Sequence, residues 1–327
     1  MRVLIVGCGY VGLPLGAALG EQGHEVFGLR RTSSADAQLK AAGIKPLTAD
    51  ITRLPELQRL PHDFDWVVNT VASSKGGVED YREVYLRGMS NLIAWLEPAL
   101  LKKFVYTSST SVYGQADGSL VDENSPTVPA SETSRVLVET EQVLIKAARG
   151  AHRSLESIEA DHPSPRPSDG RGSGAKRVRR VPGVILRVAG IYGPERGHWL
   201  QQYLRGDARI AGKGERILNM IHRDDLVGII NAALQQGAPG GIYNAVDNEP
   251  IAQIDLFRWL SKTLGRPMPP FQTEPEDSAR KRGATNKRIC NRKLKQDLGF
   301  VFKYPTFREG FAAELRQLDA RPEERRV

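Results

Sequence analysis

The sequence predicts an α/β protein, a doubly wound parallel sheet followed by a smaller C-terminal lobe. Short apolar runs alternate with helical spacings from the first residues onward, a glycine-rich turn joins the first run to the first helix, and the regular alternation fades after Pro194. Repeated β-α alternation implies parallel strands with right-handed crossovers and helices on both faces of the sheet.

The elements follow in chain order. Val3–Val6 reads as the first strand and Gly12–Leu19 as a helix packed through small residues. His24–Leu29 is the second strand, and Ile44–Leu47, ending near Asp50, the third. Trp66–Val71 is an almost continuous apolar run, as expected of a strand covered on both faces. Tyr85–Leu96 has helical spacing, with Leu86, Leu92, Ile93 and Leu96 on one side. Phe104–Thr107 and Val184–Val188 are the fifth and sixth strands. Beyond Pro194, Asp224–Gln235, Asp255–Leu264 and Glu309–Leu318 read as helices. The expected domains are 1–194 and a smaller α+β lobe at 195–327, with the segment 220–250 returning to the first domain. Residues 150–182 interrupt the pattern with Pro, Gly, Ser and Arg and almost nothing apolar to bury, so a disordered basic insertion is expected there.

Composition narrows the function. The 327 residues are 40% hydrophobic and 26% charged, ordinary for a globular chain with a real core. No run approaches the roughly 18 apolar residues of a membrane span. MRVLIVGCGYVG leads from a short apolar run straight into a glycine turn, which reads as a buried strand rather than a signal peptide. Two cysteines cannot make a disulfide framework, and a reducing cytoplasm is the expected setting. The six histidines are scattered, and no metal is expected. The net charge of +8 is concentrated in 150–182 and 274–327, and the rest of the chain is neutral. A nucleic-acid reader would carry a basic stripe on a folded face, so no nucleic-acid partner is expected.

Gly7, Gly9 and Gly12 form G-x-G-x-x-G between a strand and a helix. The first glycine allows the tight turn, the second lets backbone approach a pyrophosphate, and the third permits close helix–strand packing. A pyrophosphate there meets free N–H groups at the positive end of the helix dipole. This is the fingerprint of a Rossmann domain that binds a nicotinamide dinucleotide. Tyr10 and Val11 complete the turn. The second strand ends Gly28-Leu29-Arg30-Arg31, with no acid before Asp36. An acid there would bond the ribose 2′-hydroxyl of NAD, whereas a guanidinium fork suits the 2′-phosphate of NADP. NADP is therefore the expected cofactor, with NAD as the alternative if Arg30 and Arg31 are merely solvated. Asp50 and Ile51, past the third strand, are placed to meet the adenine. Asn69 to Ser73, including Val71 and Ala72, end the fourth strand at the open sheet edge where such ligands bind.

Five collinear stretches add a family resemblance: GCGYVG, FVYTSSTSVYG at 104–114, VILRVAGIYGPER at 184–196, MIHRDDLVGIINAAL at 220–234 and GIYNAVDNEP at 241–250. Together the chain resembles the extended short-chain dehydrogenase/reductases, the group containing nucleotide-sugar epimerases and dehydratases. The resemblance implies a hydroxyl on the fifth strand that bonds a substrate oxygen, and alignment on Val112-Tyr113-Gly114 makes it Ser109. A serine here either polarises a carbonyl or caps the strand end. The resemblance also carries Thr107, Ser108, Val188 and Gly190 into the cofactor site, and suggests a homodimer. Tyr113 either lines the substrate pocket or packs in the core. The family's Tyr-x-x-x-Lys is missing. Thr133 stands at the tyrosine position and Leu137 at the lysine position, and an unactivated threonine is a poor acid. His222 reads as structural, with Asp224 or Asp225 capping the helix that follows. Arg280, Lys281, Arg282 and Arg288 are available for substrate phosphates. Two readings stay open: an atypical NADP(H)-dependent oxidoreductase or epimerase acting on a carbonyl or hydroxyl of a small polar metabolite such as a sugar nucleotide, or a non-catalytic NADP(H)-binding regulator or scaffold.

Overall fold

Seven strands pair in parallel into one sheet: β1 (Arg2–Val6), β2 (Glu25–Arg30), β3 (Lys45–Thr48), β4 (Trp66–Asn69), β5 (Lys103–Ser109), β6 (Gly183–Val188) and β7 (Ile242–Ala245). Their order is β7-β6-β5-β4-β1-β2-β3. The structure, a computed structural model, describes residues 1–96, 101–149, 180–272 and 285–320. The expected insertion lies almost wholly outside the described residues. Strand order reverses between β1 and β4, and a crevice opens beyond the carboxyl ends of strands at such a switch point.

Alternation along β1 divides the core. Val3 and Ile5 pack with Leu15, Leu19, Ile229 and Ile230 on one face. Leu4 and Val6 pack with Met89, Leu92 and Leu144 on the other. The first layer carries α1 (Gly12–Glu21), the second α2 (Gly88–Leu96) and α3 (Glu132–Arg149). The chain then enters the lobe through α4 (His198–Arg205) and comes back to the sheet. Its next helix, α5 (Arg223–Gln236), packs on α1, and β7 pairs with β6. The lobe adds α6 (Gln253–Leu264) and closes with α8 (Phe307–Ala320), while α7 (Arg292–Leu298) between them packs back on α5 and β7 with Leu294 and Leu298 in the sheet's core. Its own core joins Leu200, Tyr203, Phe257, Phe307 and Phe311.

Among the boundaries that differ from the sequence reading, two have clear local reasons. The fourth strand stops at Asn69 rather than Val71, because the Asn69 side-chain oxygen accepts the Val71 N–H at 3.2 Å and turns the chain. The helix expected over Tyr85–Leu96 is two pieces, a π-helical turn at Arg82–Arg87 followed by α2. Three short pairings were not foreseen. Gly190–Tyr192 pairs with Met220–His222, Ile217–Leu218 with Ile251–Ala252, and Leu120–Val121 with Arg288–Ile289.

Candidate cofactor and substrate site

The glycine turn is held by backbone. Gly7 has φ +81° and donates to Leu29 O at 3.0 Å, and a Cβ on it would fall 2.8 Å from the Val71 backbone. A side chain here would be strained in conformation and blocked in space. Gly12 serves packing: a Cβ would meet Ile5 at 2.9 Å. Around Gly9 the space is open, its hypothetical Cβ having nothing nearer than 3.8 Å. No side chain caps the start of α1 and no acid occupies its first turn, and the N–H groups of Tyr10, Val11 and Gly12, which make no backbone hydrogen bond among the described residues, stay available to an anion.

A cleft of about 510 Å³ runs across the sheet edge from this turn. Gly7, Gly9, Tyr10 and Val11 line one wall. Arg30, Arg31, Asp50 and Ile51 line the end beyond β2 and β3, and among the described residues neither arginine pairs with a carboxylate. Val71 and Ala72, then Thr107, Ser108 and Ser109, continue the wall to Val188 and Gly190. Gly12 lies behind the turn and does not line the cleft. Ser73 does not either: its hydroxyl bonds Asp80 and its N–H donates to Tyr85 at 3.1 Å, which leaves Ser74 on the wall. Sequence reasoning missed Arg196, whose guanidinium sits 5.0 Å from the Tyr10 ring centroid and lines the same cleft.

Ser108 and Ser109 do different work. Ser109 Oγ accepts the Ser111 N–H at 3.2 Å, so it caps the strand end while also lining the cleft. Ser108 Oγ donates to Glu141 Oε1 at 2.6 Å and so joins a buried network. Glu141 takes two N–H donors from Arg187, the shorter at 2.8 Å, and Arg187 also donates to Tyr113 Oη at 2.8 Å. Tyr113 Oη in turn donates to Asn244 Oδ1 at 2.9 Å. Tyr113 is therefore a core residue outside the cleft, since the Arg187 and Asn244 bonds hold its hydroxyl inside the protein. Burial pushes the Tyr113 phenol up, partly opposed by Arg187. Thr133 is buried on α3 with its hydroxyl 3.1 Å from Ser131 Oγ and lines no cleft wall. Leu137, one turn further on, does line it. An apolar wall thus stands at the position where the resemblance would put a charge.

A second pocket of about 240 Å³ adjoins the first and shares Ser109, Val188 and Gly190 with it. The lobe supplies its other walls: His198 and Trp199 at the start of α4, Arg216 and Asn219, and Thr285 with Lys287. Lys287 Nζ donates to Tyr113 O at 2.7 Å and Thr285 Oγ1 at 2.9 Å. Burial, with the Arg216 charge adding to it, brings the Lys287 ammonium down to about 8. Burial also lowers Arg216. Sequence reasoning did not single out these two; of the basic lobe residues it did, only Arg288 lies among the described residues. Arg288 is exposed and donates to Gly118 O, because strand alternation turns 287 inward and 288 outward. Arg280, Lys281 and Arg282 lie outside the described residues.

His222 proves to cap α5 itself. Its Nδ1 accepts the Asp224 N–H at 3.1 Å and its Nε2 lies 3.1 Å from Glu314 Oε1. Asp225, expected as a cap, instead accepts the N–H groups of Lys303 and Tyr304 at 2.7 and 2.9 Å. Asp224 pairs with Arg223 at 2.9 Å. Among the described residues, no helix is long and apolar enough to cross a membrane.

Residues 3–245 match the model of the NAD dependent epimerase/dehydratase family. The chain belongs to that family. Protein YeeZ of Escherichia coli K12 is similar to this chain at 29% identity over 312 residues, covering 93% of this chain and 96% of YeeZ. Among solved structures, a Methylobacillus flagellatus protein provisionally assigned as an NAD-dependent epimerase/dehydratase is 30% identical. It superposes with a TM-score of 0.71 and covers 97% of this chain and 98% of that one. DesIV, a dTDP-glucose 4,6-dehydratase from Streptomyces venezuelae solved with NAD and TYD bound, shares the fold at 20% identity with a TM-score of 0.76. That likeness covers 98% of this chain and 97% of DesIV. This epimerase/dehydratase family member keeps every glycine of the dinucleotide turn and lacks the Tyr-x-x-x-Lys pair.

Proposed function

We propose that this protein is an NADP(H)-dependent oxidoreductase acting on a carbonyl or hydroxyl group of a polar metabolite. The observation that carries the reading is one continuous cleft with the glycine turn on one wall, two arginines without a carboxylate partner among the described residues at one end and the Ser109 hydroxyl on another wall. The donor set fits the dinucleotide. Tyr10 and Val11 would take the pyrophosphate on backbone N–H groups, with Gly7 and Gly9, whose own N–H groups are spent inside the turn, giving it room and Arg196 beside them. Arg30 and Arg31 would take a 2′-phosphate, Asp50 and Ile51 the adenosine, and Val71, Ala72, Ser74, Thr107, Ser108, Val188 and Gly190 would flank the nicotinamide half. When bound, the dinucleotide supplies hydride exchange at the substrate carbon. Ser109 would hold the substrate oxygen by its hydroxyl. Thr133, turned toward Ser131, has no part in proton transfer. Leu137 would exclude water from the reacting face.

A second reading is a non-catalytic NADP(H) sensor. It is favoured by Leu137, because an apolar side chain lining the cleft cannot lower the pKa of a neighbouring acid.

Calorimetry with NAD⁺, NADH, NADP⁺ and NADPH tests the binding claim. The phosphorylated pair should bind at least about tenfold tighter, as expected of a charge-assisted pair worth 1.5–3 kcal/mol. Arg30→Ala and Arg31→Ala together should erase that margin. Equal affinities in the parent protein remove the NADP assignment, and no heat with any of the four removes the dinucleotide site. NADPH oxidation with a panel of carbonyl compounds, lost in Ser109→Ala, separates the enzyme from the sensor.

A further inference from the structure

The lobe-side pocket holds positive charge that the described residues leave unanswered. Arg216 and Lys287 both line it, and no Asp or Glu does. Among the described residues, neither cation forms an ion pair with a carboxylate. The Arg216 Nε–H is buried and has no acceptor among the described residues. Lys287 has three donors and spends two of them on neutral oxygens, Tyr113 O and Thr285 Oγ1. A buried cation without a counter-charge is costly. Lysine can relieve that cost by giving up its proton, and the lowering of Lys287 to about 8 is in that direction. Arginine has no such escape, because its guanidinium stays charged at any accessible pH.

We propose that Arg216 and Lys287 form an oxyanion subsite, and that the substrate is a compact carbonyl compound bearing a carboxylate or phosphate close to its reacting carbon. The part of this inference that concerns the carbonyl rests on the oxidoreductase reading, and the anion subsite itself does not. Three features of the pocket set the ligand class. Its volume of about 240 Å³ is less than half that of the dinucleotide cleft. It shares Ser109 with that cleft, so an anion held at Arg216 belongs to the same small molecule whose oxygen meets Ser109. The Asn219 side chain is committed within the protein, donating to Lys287 O and accepting from Ile289 N–H, and this fixes the strand that carries Lys287.

The test is calorimetric titration of the full-length protein at 150 mM chloride (roughly physiological screening), with and without NADPH. Oxalate and inorganic phosphate are the anionic probes, and oxamide is the neutral control. At least one anion should bind, oxamide should not, and affinity should fall about tenfold or more in both Arg216→Leu and Lys287→Met. Arg216→Lys should restore part of it. The stronger anion names the headgroup. Binding of neither anion, or equal binding by parent and both variants, overturns the subsite. The two readings fail separately. A protein that takes oxalate but no pyridine nucleotide keeps the subsite and loses the oxidoreductase, and one that takes NADPH but neither anion does the reverse.

Discussion

A buried arginine, Arg187, and a half-buried one, Arg216, both lie near Ser108–Ser109, and the protein treats them in opposite ways. Arg187 is 4% exposed and fully answered: Glu141 neutralises it, Tyr113 accepts from it, and Ser108 completes the Glu141 shell. Arg216, in the pocket that shares Ser109, meets no counter-charge among the described residues and leaves its Nε without an acceptor. Asp247 shows a third outcome. Its carboxyl is buried, with Oδ2 unpartnered among the described residues, and burial pushes it well above the usual carboxylate range, which favours the neutral form. A buried charge that the chain itself answers is part of the scaffold, and one that can titrate away needs no answer. A guanidinium with neither remedy waits for an anion from outside.

The largest effect should come from breaking the answered pair. Glu141→Leu strands Arg187 inside the core, and removing one partner of such a pair costs about 3–5 kcal/mol. Urea unfolding of Glu141→Leu should show that loss, and adding Arg187→Met should recover most of it. A single variant as mild as the double one would mean that Glu141 is not the counter-charge.

Asp247 gives a pH signature. Its folded pKa lies above the unfolded value, so between the two the native state holds a proton that the unfolded chain has lost, and stability falls as pH rises through that window. Asp247→Asn should therefore melt higher than the parent at pH 7, and the difference should close as pH approaches 3.8, the ordinary value for a free aspartate carboxyl. A variant that melts lower than the parent at pH 7 would show that the carboxylate is ionised and paired.

The same contrast explains how much of the molecule could be read in advance. The dinucleotide cleft was legible because it is built from backbone on consecutive residues. Gly7 announces a turn that only glycine tolerates, and Arg30 and Arg31 end a strand whose apolar run is visible. The second pocket was not legible because its walls come from residues 109, 198, 216 and 287, which meet only through the lobe's packing. Lys287 sits in a run of basic residues whose composition suggests a solvated surface, and its burial follows from the pairing of Arg288–Ile289 with Leu120–Val121, for which the sequence holds no local signal. Tyr113 was left between pocket and core, and its three-way contact with Arg187 and Asn244 depends on β5, β6 and β7 lying side by side.

Lys287 sharpens the comparison by a smaller, graded effect. With its ammonium lowered to about 8, the lysine loses charge as pH rises past that value, and anion affinity should fall a few-fold between pH 7 and 9.5. The linked stability has the opposite slope. Between about 8 and 10.5 the unfolded chain binds the extra proton, so this residue makes the fold more stable as pH rises. Lys287→Met should flatten both curves. A parent protein with pH-independent oxalate affinity would remove Lys287 from the subsite while leaving Arg216 to be judged by its own variant.

The smallest expected effect is the most exacting. If Arg216 is unanswered, deleting its charge removes a desolvation penalty and breaks no ion pair, so Arg216→Leu should leave unfolding free energy within about 0.5 kcal/mol of the parent or raise it. The expectation holds only without added anion. With oxalate bound, the parent should gain stability by mass action and the variant should not. A loss comparable to that of Glu141→Leu in anion-free buffer would show that the guanidinium is answered inside the fold. Arg216 and Arg187 would then be two instances of the same structural device.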